Sequence, residues 1–412
     1  MIPLQLHEFH RRLDARFADL NGVETVNDYG DWPAEHAAWC ETAGVIDLGF
    51  RSRLCLVGND RVRFLHGQAT NDVKRLRAGE GGYAALVTAK GRMESDLNIF
   101  CLPDELLLDF EPGLTEKVVQ RLKKYIVADD VQIVDVAPHY GLLSVQGPKA
   151  EAVIRASGLP GWGESPDKPP RSSEEIGSRG RSPHQLPSQP FGSMKISDAA
   201  LGEIYLINHP RLAGSAGILP AESQDKVVTT GRQDAGVPGT VGFDLFIPSA
   251  SLAAVADKLL AAARSVGGLA CGWQAFETAR IEAGIPRFGA DMDETNLPLE
   301  CGIEEQAVSY KKGCYIGQEV INRVHSFGRV NKELRGLRLA GDLKALPQKG
   351  DKLFLDGKEI GCVTSAVKSP TLNAMVALGY VRREANQIGA ELMLRTAAGE
   401  GRAKIVELPF VR

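Results

Sequence analysis

The sequence predicts an α+β protein: two related α/β halves, followed by a small C-terminal β-barrel. Three observations carry this reading. A strand, glycine turn and helix start occurs twice, at Leu54-Cys55-Leu56-Val57-Gly58-Asn59-Asp60 and at Leu143-Ser144-Val145-Gln146-Gly147-Pro148-Lys149. Each copy continues into further strands and a helix, the pattern of a duplicated unit sharing a cleft. Beyond Arg329 the composition changes to short strand-like runs at regular spacing, as in a small barrel. With 412 residues, 43% of them hydrophobic, the chain has ample material for such cores.

In order, residues 1–45 read as a helical segment, because Leu6, Phe9, Leu13 and Phe17 recur every three or four residues. Tyr29, Trp32 and Trp39 add apolar area of the kind that fills cores. Residues 46–138 form the first half, entered through Val45-Ile46-Asp47-Leu48. Its strands are expected at 83–88 and 93–101 around Ala89-Lys90-Gly91, then at 105–110. A helix over 114–126 follows, with Leu114, Val118, Leu122 and Ile126 on one face. Residues 139–329 form the second half, with strands at 203–208 and 240–247 and a helix over 249–264. Two stretches, 161–190 and 213–239, are dense in Pro, Ser and Gly without periodicity and read as mobile insertions. Residues 330–412 supply the barrel, with strands at 334–339, 352–355, 359–367, 375–381, 391–396 and 403–408. Asp356-Gly357 is the turn joining the second and third.

A net charge of −4 argues against stable nucleic-acid binding. No run approaches the length of a membrane span, and the first residues lack a signal-peptide core, so the expected compartment is the cytoplasm. Seven scattered cysteines without a C-x-x-C pair or a zinc-like His spacing speak against disulfide frameworks and structural zinc.

The chemically loaded stretch is Lys312-Gly313-Cys314-Tyr315-Ile316-Gly317-Gln318-Glu319, followed by Val320, Ile321 and Val324 at helical spacing. It reads as a glycine turn, assigned to Gly313, that delivers a thiol to a helix start beside Lys312. There Cys314 acts as nucleophile or ligand, or packs as a small apolar plug. Upstream, Glu277, Arg280 and Glu282 share a helix, the first two adjacent at i, i+3. Asp96 lies in the strand after the Gly91 turn, Lys74, Arg75 and Arg77 form a basic cluster, and His325 follows the signature at a helix end.

The eight-residue stretch resembles the K-G-C-Y-x-G-Q-E signature of the YgfZ-type folate-binding proteins, relatives of the aminomethyltransferase (T-protein) of the glycine cleavage system. Further likeness lies at Ile281-Glu282-Ala283-Gly284-Ile285-Pro286, Gly289-Ala290-Asp291-Met292, Leu297-Pro298 and Phe64-Leu65-His66-Gly67-Gln68. The resemblance implies tetrahydrofolate or a one-carbon derivative as ligand, and support for the assembly or repair of iron-sulfur enzymes, including tRNA-modifying ones. Iron-sulfur proteins or assembly factors are then the partners. It also implies Glu282 as the pterin carboxylate, with Arg280, Tyr315 and Gln318 in the binding set. Cys314, Lys312 and Asp96 are the chemical residues, Asp96 standing where the aminomethyltransferases hold an aspartate near folate N10. Two alternatives remain: a folate-dependent aminomethyl or methyl transferase, and a non-catalytic RNA-associated scaffold.

Overall fold

A computed structural model describes residues 1–160, 185–212, 241–341 and 343–411. The insertion read at 213–239 and all but the last residues of that at 161–190 lie outside the described residues. The chain divides into two units. One is drawn from Met1–Phe50, Val136–Arg211 and Gly239–Trp273, the other chiefly from Arg51–Asp135 and Gln274–Arg412.

The first unit is built on a six-stranded sheet. Its order is Ser193–Asp198, Gly202–Asn208, Gly242–Pro248, Tyr140–Gln146, Gly44–Asp47 and Leu269–Ala270. Helices Ala150–Ala156 and Leu252–Ser265 cover one face through Val153, Ile154, Val255 and Leu259, all fully buried. The strand at Gly44–Asp47, expected to lead into the first half, instead pairs with Tyr140–Gln146 of the second. All four of its residues are buried, as suits a strand in the interior of a sheet rather than at an edge.

The N-terminal segment also differs from expectation. Only His7–Arg11 is helical before a hairpin of Arg16–Leu20 with Val23–Asp28, after which Trp32–Glu41 forms a second helix. Phe17 therefore sits in a strand. Asn21 and Gly22 take positive φ, 55° and 83°, making the tight turn that two-residue hairpins require.

The second unit contains an antiparallel five-stranded sheet ordered Glu80–Val87, Met93–Cys101, Leu106–Phe110, Ser52–Val57 and Gln132–Asp135. Helices Arg61–Gln68 and Thr115–Lys123 pack on one face through Phe64, Leu65, Val118 and Leu122. The predicted barrel is present and closed. Lys332–Leu339, Ala374–Arg382, Lys358–Ser369, Lys352–Leu355, Glu391–Thr396 and Gly399–Val406 follow one another around it. Its core is Leu337, Leu353, Val363, Val381, Leu394 and Ile405. A third cluster binds sheet to barrel within this unit, with Ala85, Val87 and Met93 from the sheet meeting Val376, Leu378 and Tyr380 from the barrel.

The helix Trp273–Glu282 is fastened to this barrel at its last residue. Glu282, 4% exposed, accepts hydrogen bonds from the hydroxyls of Ser369 and Thr371, and its carbonyl accepts from Phe410 N at 2.9 Å. Ser369 Oγ is in turn held by Leu372 N at 2.9 Å. The carboxylate expected to meet a pterin is thus turned into the joint between helix and barrel. Glu282→Ala would leave the buried Ser369 hydroxyl without its acceptor, a loss of about 1–3 kcal/mol. A drop in Tm is the expected result, with unchanged folate affinity; intact Tm with lost affinity would restore the ligand role.

Candidate functional site

The site is laid out by the strand Met93–Cys101. Leu97, Ile99 and Cys101 enter the core under the two helices, so the period of two turns Asp96 and Asn98 to the other face. Between the pairs Leu86↔Ser95 and Val87↔Met93 the register slips by one residue. Glu94 is the extra residue of this bulge, and it accepts from Arg121 Nε at 2.6 Å. The slip brings Met93 into the cluster with Ala85 and Val87 and leaves Asp96 two residues beyond it.

On the face shared by Asp96, buried charges form a continuous chain. Asn98 Nδ2 donates to Asp109 Oδ2 at 2.9 Å, and Arg51 Nε donates to Asp109 Oδ1 at 2.7 Å. Arg51 Nη1 reaches Glu111 at 2.6 Å, and Arg287 Nη1 takes the other oxygen of Glu111 at 2.8 Å. Arg287 Nε stands 3.5 Å from Glu277, which pairs with Arg280; Arg280 also pairs with Asp291. Thr364 of the barrel donates to Asp291 at 2.5 Å, and Arg280 donates to Ser365 Oγ at 2.9 Å. Burial pushes the carboxyl of Glu111 up, but Arg51 and Arg287 outweigh it and hold it below the usual range. Asp291 is likewise lowered against its burial, by Arg280.

Asp96 stands beside this chain without an arginine of its own. Tyr83 OH donates to Oδ2 at 2.8 Å, while Oδ1 is buried and has no hydrogen-bond partner. Burial first, and then the negative charge of Glu111, push its carboxyl up to about 6. A carboxyl that titrates there exchanges protons close to neutral pH, and an unpartnered buried oxygen is an acceptor for a ligand N–H.

The signature stretch has a different architecture from the one expected. Lys312 does not flank the thiol. Its ammonium, 7% exposed, donates to the carbonyls of His66, Ala69 and Asn71 at 2.5, 2.6 and 2.9 Å. These lie at the end of the helix Arg61–Gln68, where carbonyls lack intrahelical partners and a cation is favoured. Burial pulls Lys312 down to about 8, which leaves it charged at neutral pH with three donors for three acceptors. Thr70 Oγ1 donates to Ala307 O at 2.5 Å, Asn71 Nδ2 to Gln306 O at 2.8 Å, and Ile316 N to Gly67 O at 3.3 Å. The motif around His66 is therefore the bed on which the signature is laid.

The sharp turn belongs to Gly317, not Gly313. Gly317 has φ 86°, and a Cβ there would meet Thr88 O at 2.5 Å, so only glycine lets the loop approach the hairpin turn. The helix Gln318–Phe327 follows. Cys314 is exposed on the loop before it. Tyr315 is 7% exposed, lies under the Lys312 ammonium at 4.7 Å, and has an unpartnered hydroxyl. Gln318 Nε2 turns back to Gly313 O at 3.5 Å. His325 stacks on Tyr310 at 3.8 Å and pairs with Glu304 at 2.6 Å. Among the described residues no group of three or more His, Cys, Asp or Glu is arranged to hold a metal.

The structure thus places Asp96 and Arg280 along one polar network and gathers Lys312, Cys314, Tyr315 and Gln318 in another place. Sequence reasoning missed Arg51, Asp109, Glu111 and Arg287. A signal was present: Arg53 and Asp109 are charges inside apolar strands that pair in register, and Arg51 and Glu111 follow at period two just beyond the strand ends. In the other unit it missed Asp244, fully buried and held low against its burial by Arg211 and His209 at 2.7 Å each.

A six-stranded and a five-stranded sheet, each with helices on one face, and a closed C-terminal barrel are the architecture of an aminomethyltransferase-like protein. The GCVT N-terminal domain matches residues 6–158 and 235–312, more than half of the chain, and the glycine cleavage T-protein C-terminal barrel domain matches 332–412, so the chain belongs to the GCVT family. It is 28% identical over 407 residues to a protein named aminomethyltransferase from Rubrobacter xylanophilus, covering 99% of this chain and 93% of that one. It is 25% identical over 411 residues to one of the same name from Bacillus subtilis, covering 99% and 98%. The crystal structure of glycine cleavage system aminomethyltransferase T from Bartonella henselae has the same fold, with a TM-score of 0.78 at 21% identity over 99% of this chain and 98% of that one. Among the described residues no helix is long and apolar enough to cross a membrane.

Lys312→Met keeps the stem and removes the ammonium, taking the donor from the two buried carbonyls of His66 and Ala69 and the half-buried one of Asn71. The expected loss is about 3 kcal/mol, or roughly 3–4 °C in Tm by calorimetry. A thiol-activating lysine would instead leave Tm unchanged.

Proposed function

We propose that the protein binds tetrahydrofolate or a one-carbon derivative and acts as an aminomethyl or related one-carbon transferase, with Asp96 as the group that exchanges the proton. The observation that carries this is the unpartnered, buried Oδ1 of Asp96 on a carboxyl poised at about 6. The relatives named aminomethyltransferase support it across nearly the whole chain. A bound folate supplies amine nitrogens that carry the one-carbon unit. Asp96 accepts an N–H through Oδ1 while Tyr83 fixes its other oxygen. Arg51 and Arg287 keep Glu111 ionised, and that charge adds to burial in raising the Asp96 carboxyl to about 6. Tyr315 offers a second free polar atom, whereas Arg280 and Glu282 shape the frame.

Asp96→Asn separates chemistry from fold. The folded carboxyl titrates at about 6 against 3.8 when unfolded, so the native state binds more protons between these values and stability falls as pH rises through them. Above about pH 6 the ionised carboxylate is a standing cost of roughly 1–3 kcal/mol, which asparagine lacks. The variant is expected to melt higher than the wild type at pH 7.5 and not at pH 4. Aminomethyl transfer should fall by about 10²-fold or more. Unchanged transfer would remove Asp96 from the chemistry.

A second reading, support of iron-sulfur enzymes in the manner the signature suggests, is favoured by the exposure of Cys314 on a loop whose two neighbouring anchors, Lys312 and Tyr315, are buried. Under it Cys314→Ser keeps Tm and folate affinity but fails to complement an iron-sulfur enzyme defect. Full complementation by the variant leaves the transferase reading alone.

A further inference from the structure

The first barrel strand, Lys332–Leu339, is paired with Ala374–Arg382 so that Lys332 lies directly opposite Arg382. Like charges at an opposed antiparallel pair repel, and Arg383 follows immediately with a third cation. Nothing in the barrel core requires this, since all three side chains lie outside it. Together with Arg92 they line an open cleft of about 690 Å³ within the second unit. That volume is in the range of small-molecule sites.

The cleft's two carboxylates do not neutralise it. Glu300 accepts from Leu297 N at 3.0 Å and has Arg92 at 3.6 Å, while Glu384 accepts from Lys358 outside the cleft at 3.1 Å. Arg92 Nη1 is further held by Thr295 O at 2.5 Å, which fixes its fork at the wall. The Lys332 ammonium rests over the ring of Tyr380 at 4.5 Å. Among the described residues no ion pair is formed by Lys332, Arg382 or Arg383, although Arg382 is near enough to Glu384, and Lys332 to Asp293, to help hold those carboxyls low. Four cations against two carboxylates therefore leave a net positive charge at a concave wall, where guanidinium forks suit carboxylate and phosphate oxygens.

We infer that this cleft binds a multivalent anion, a ligand carrying two or more carboxylates or phosphates in series. A single anionic group would match one fork; a chain of them matches the run from Arg92 to Lys332, Arg382 and Arg383. The site stands whether or not the protein is a folate enzyme, because none of its lining side chains belongs to the Asp96 network. Both an oligo-γ-glutamate chain and a polyphosphate have this chemistry.

The test is calorimetric titration of the full chain at low ionic strength with penta-γ-glutamate and, separately, tripolyphosphate. At least one probe is expected to bind, and Arg382→Gln with Arg383→Gln to weaken it about tenfold or more. Binding of the peptide alone identifies a polycarboxylate ligand, of tripolyphosphate alone a phosphate ligand, and of both a site that reads charge spacing. Both arginines are exposed, so the double variant should keep its Tm. Lys332→Gln provides a second variant, expected to weaken the same probe and to raise Tm by relieving the opposed pair. Failure of both probes to bind, or equal binding to wild type and variants, overturns the inference.

Discussion

Arg280 is 2% exposed and cannot discard its charge, and the polar half of the second unit is arranged around that fact. Its two flanks are occupied by Glu277 and Asp291, which then face Arg287 and the barrel hydroxyls. Removing one member of such a chain leaves a buried charge uncompensated, typically at about 3–5 kcal/mol. The chain also decides which carboxyls are held low and which is raised. Glu111 and Asp291 are each held by guanidinium groups, and Asp96, with a tyrosine hydroxyl in their place, is the one whose proton is loosely committed.

Local chemistry makes the barrel legible in the sequence. Its strands are short and separated by turn residues, and Asp356 and Gly357 both take positive φ at the turn that the Asp-Gly pair announces. The same kind of signal at Asn21-Gly22 is outweighed by Leu6, Phe9, Leu13 and Phe17, whose spacing also fits a helix. The helix ends at Arg11 and Asp14 follows at φ 57°, a conformation aspartate tolerates better than most residues but does not by itself announce. Asp96 is legible by position in its strand. Its free oxygen is not, because that depends on how the register slips at Glu94.

The signature stretch shows the limit of reading charge from neighbours in sequence. Lys312 and Cys314 are two residues apart, yet one side chain is buried against a helix end and the other is in solvent. Lysine has a long stem and goes where acceptors are, and its acceptors here are backbone carbonyls from 66–71, with no side-chain signal to mark them. Glu282 escapes a local reading for the related reason that its partners, Ser369 and Thr371, come from the barrel.

The strand Gly44–Asp47 lies between Tyr140–Gln146 and Leu269–Ala270 in its sheet, whereas the five-stranded sheet of the other unit is complete by Asp135. For a chain emerging from a ribosome this sets an order of events. At about 5–20 residues per second, roughly 10–45 s pass between synthesis of residue 44 and of residue 270. Through that interval Val45 and Ile46, both nearly fully buried at the end, have no complete sheet to join. The sheet of residues 52–135 can meanwhile form from contiguous chain. The strand Gly44–Asp47 thus finds both its neighbours only after more than two hundred further residues have been made, so its place in the sheet is settled late.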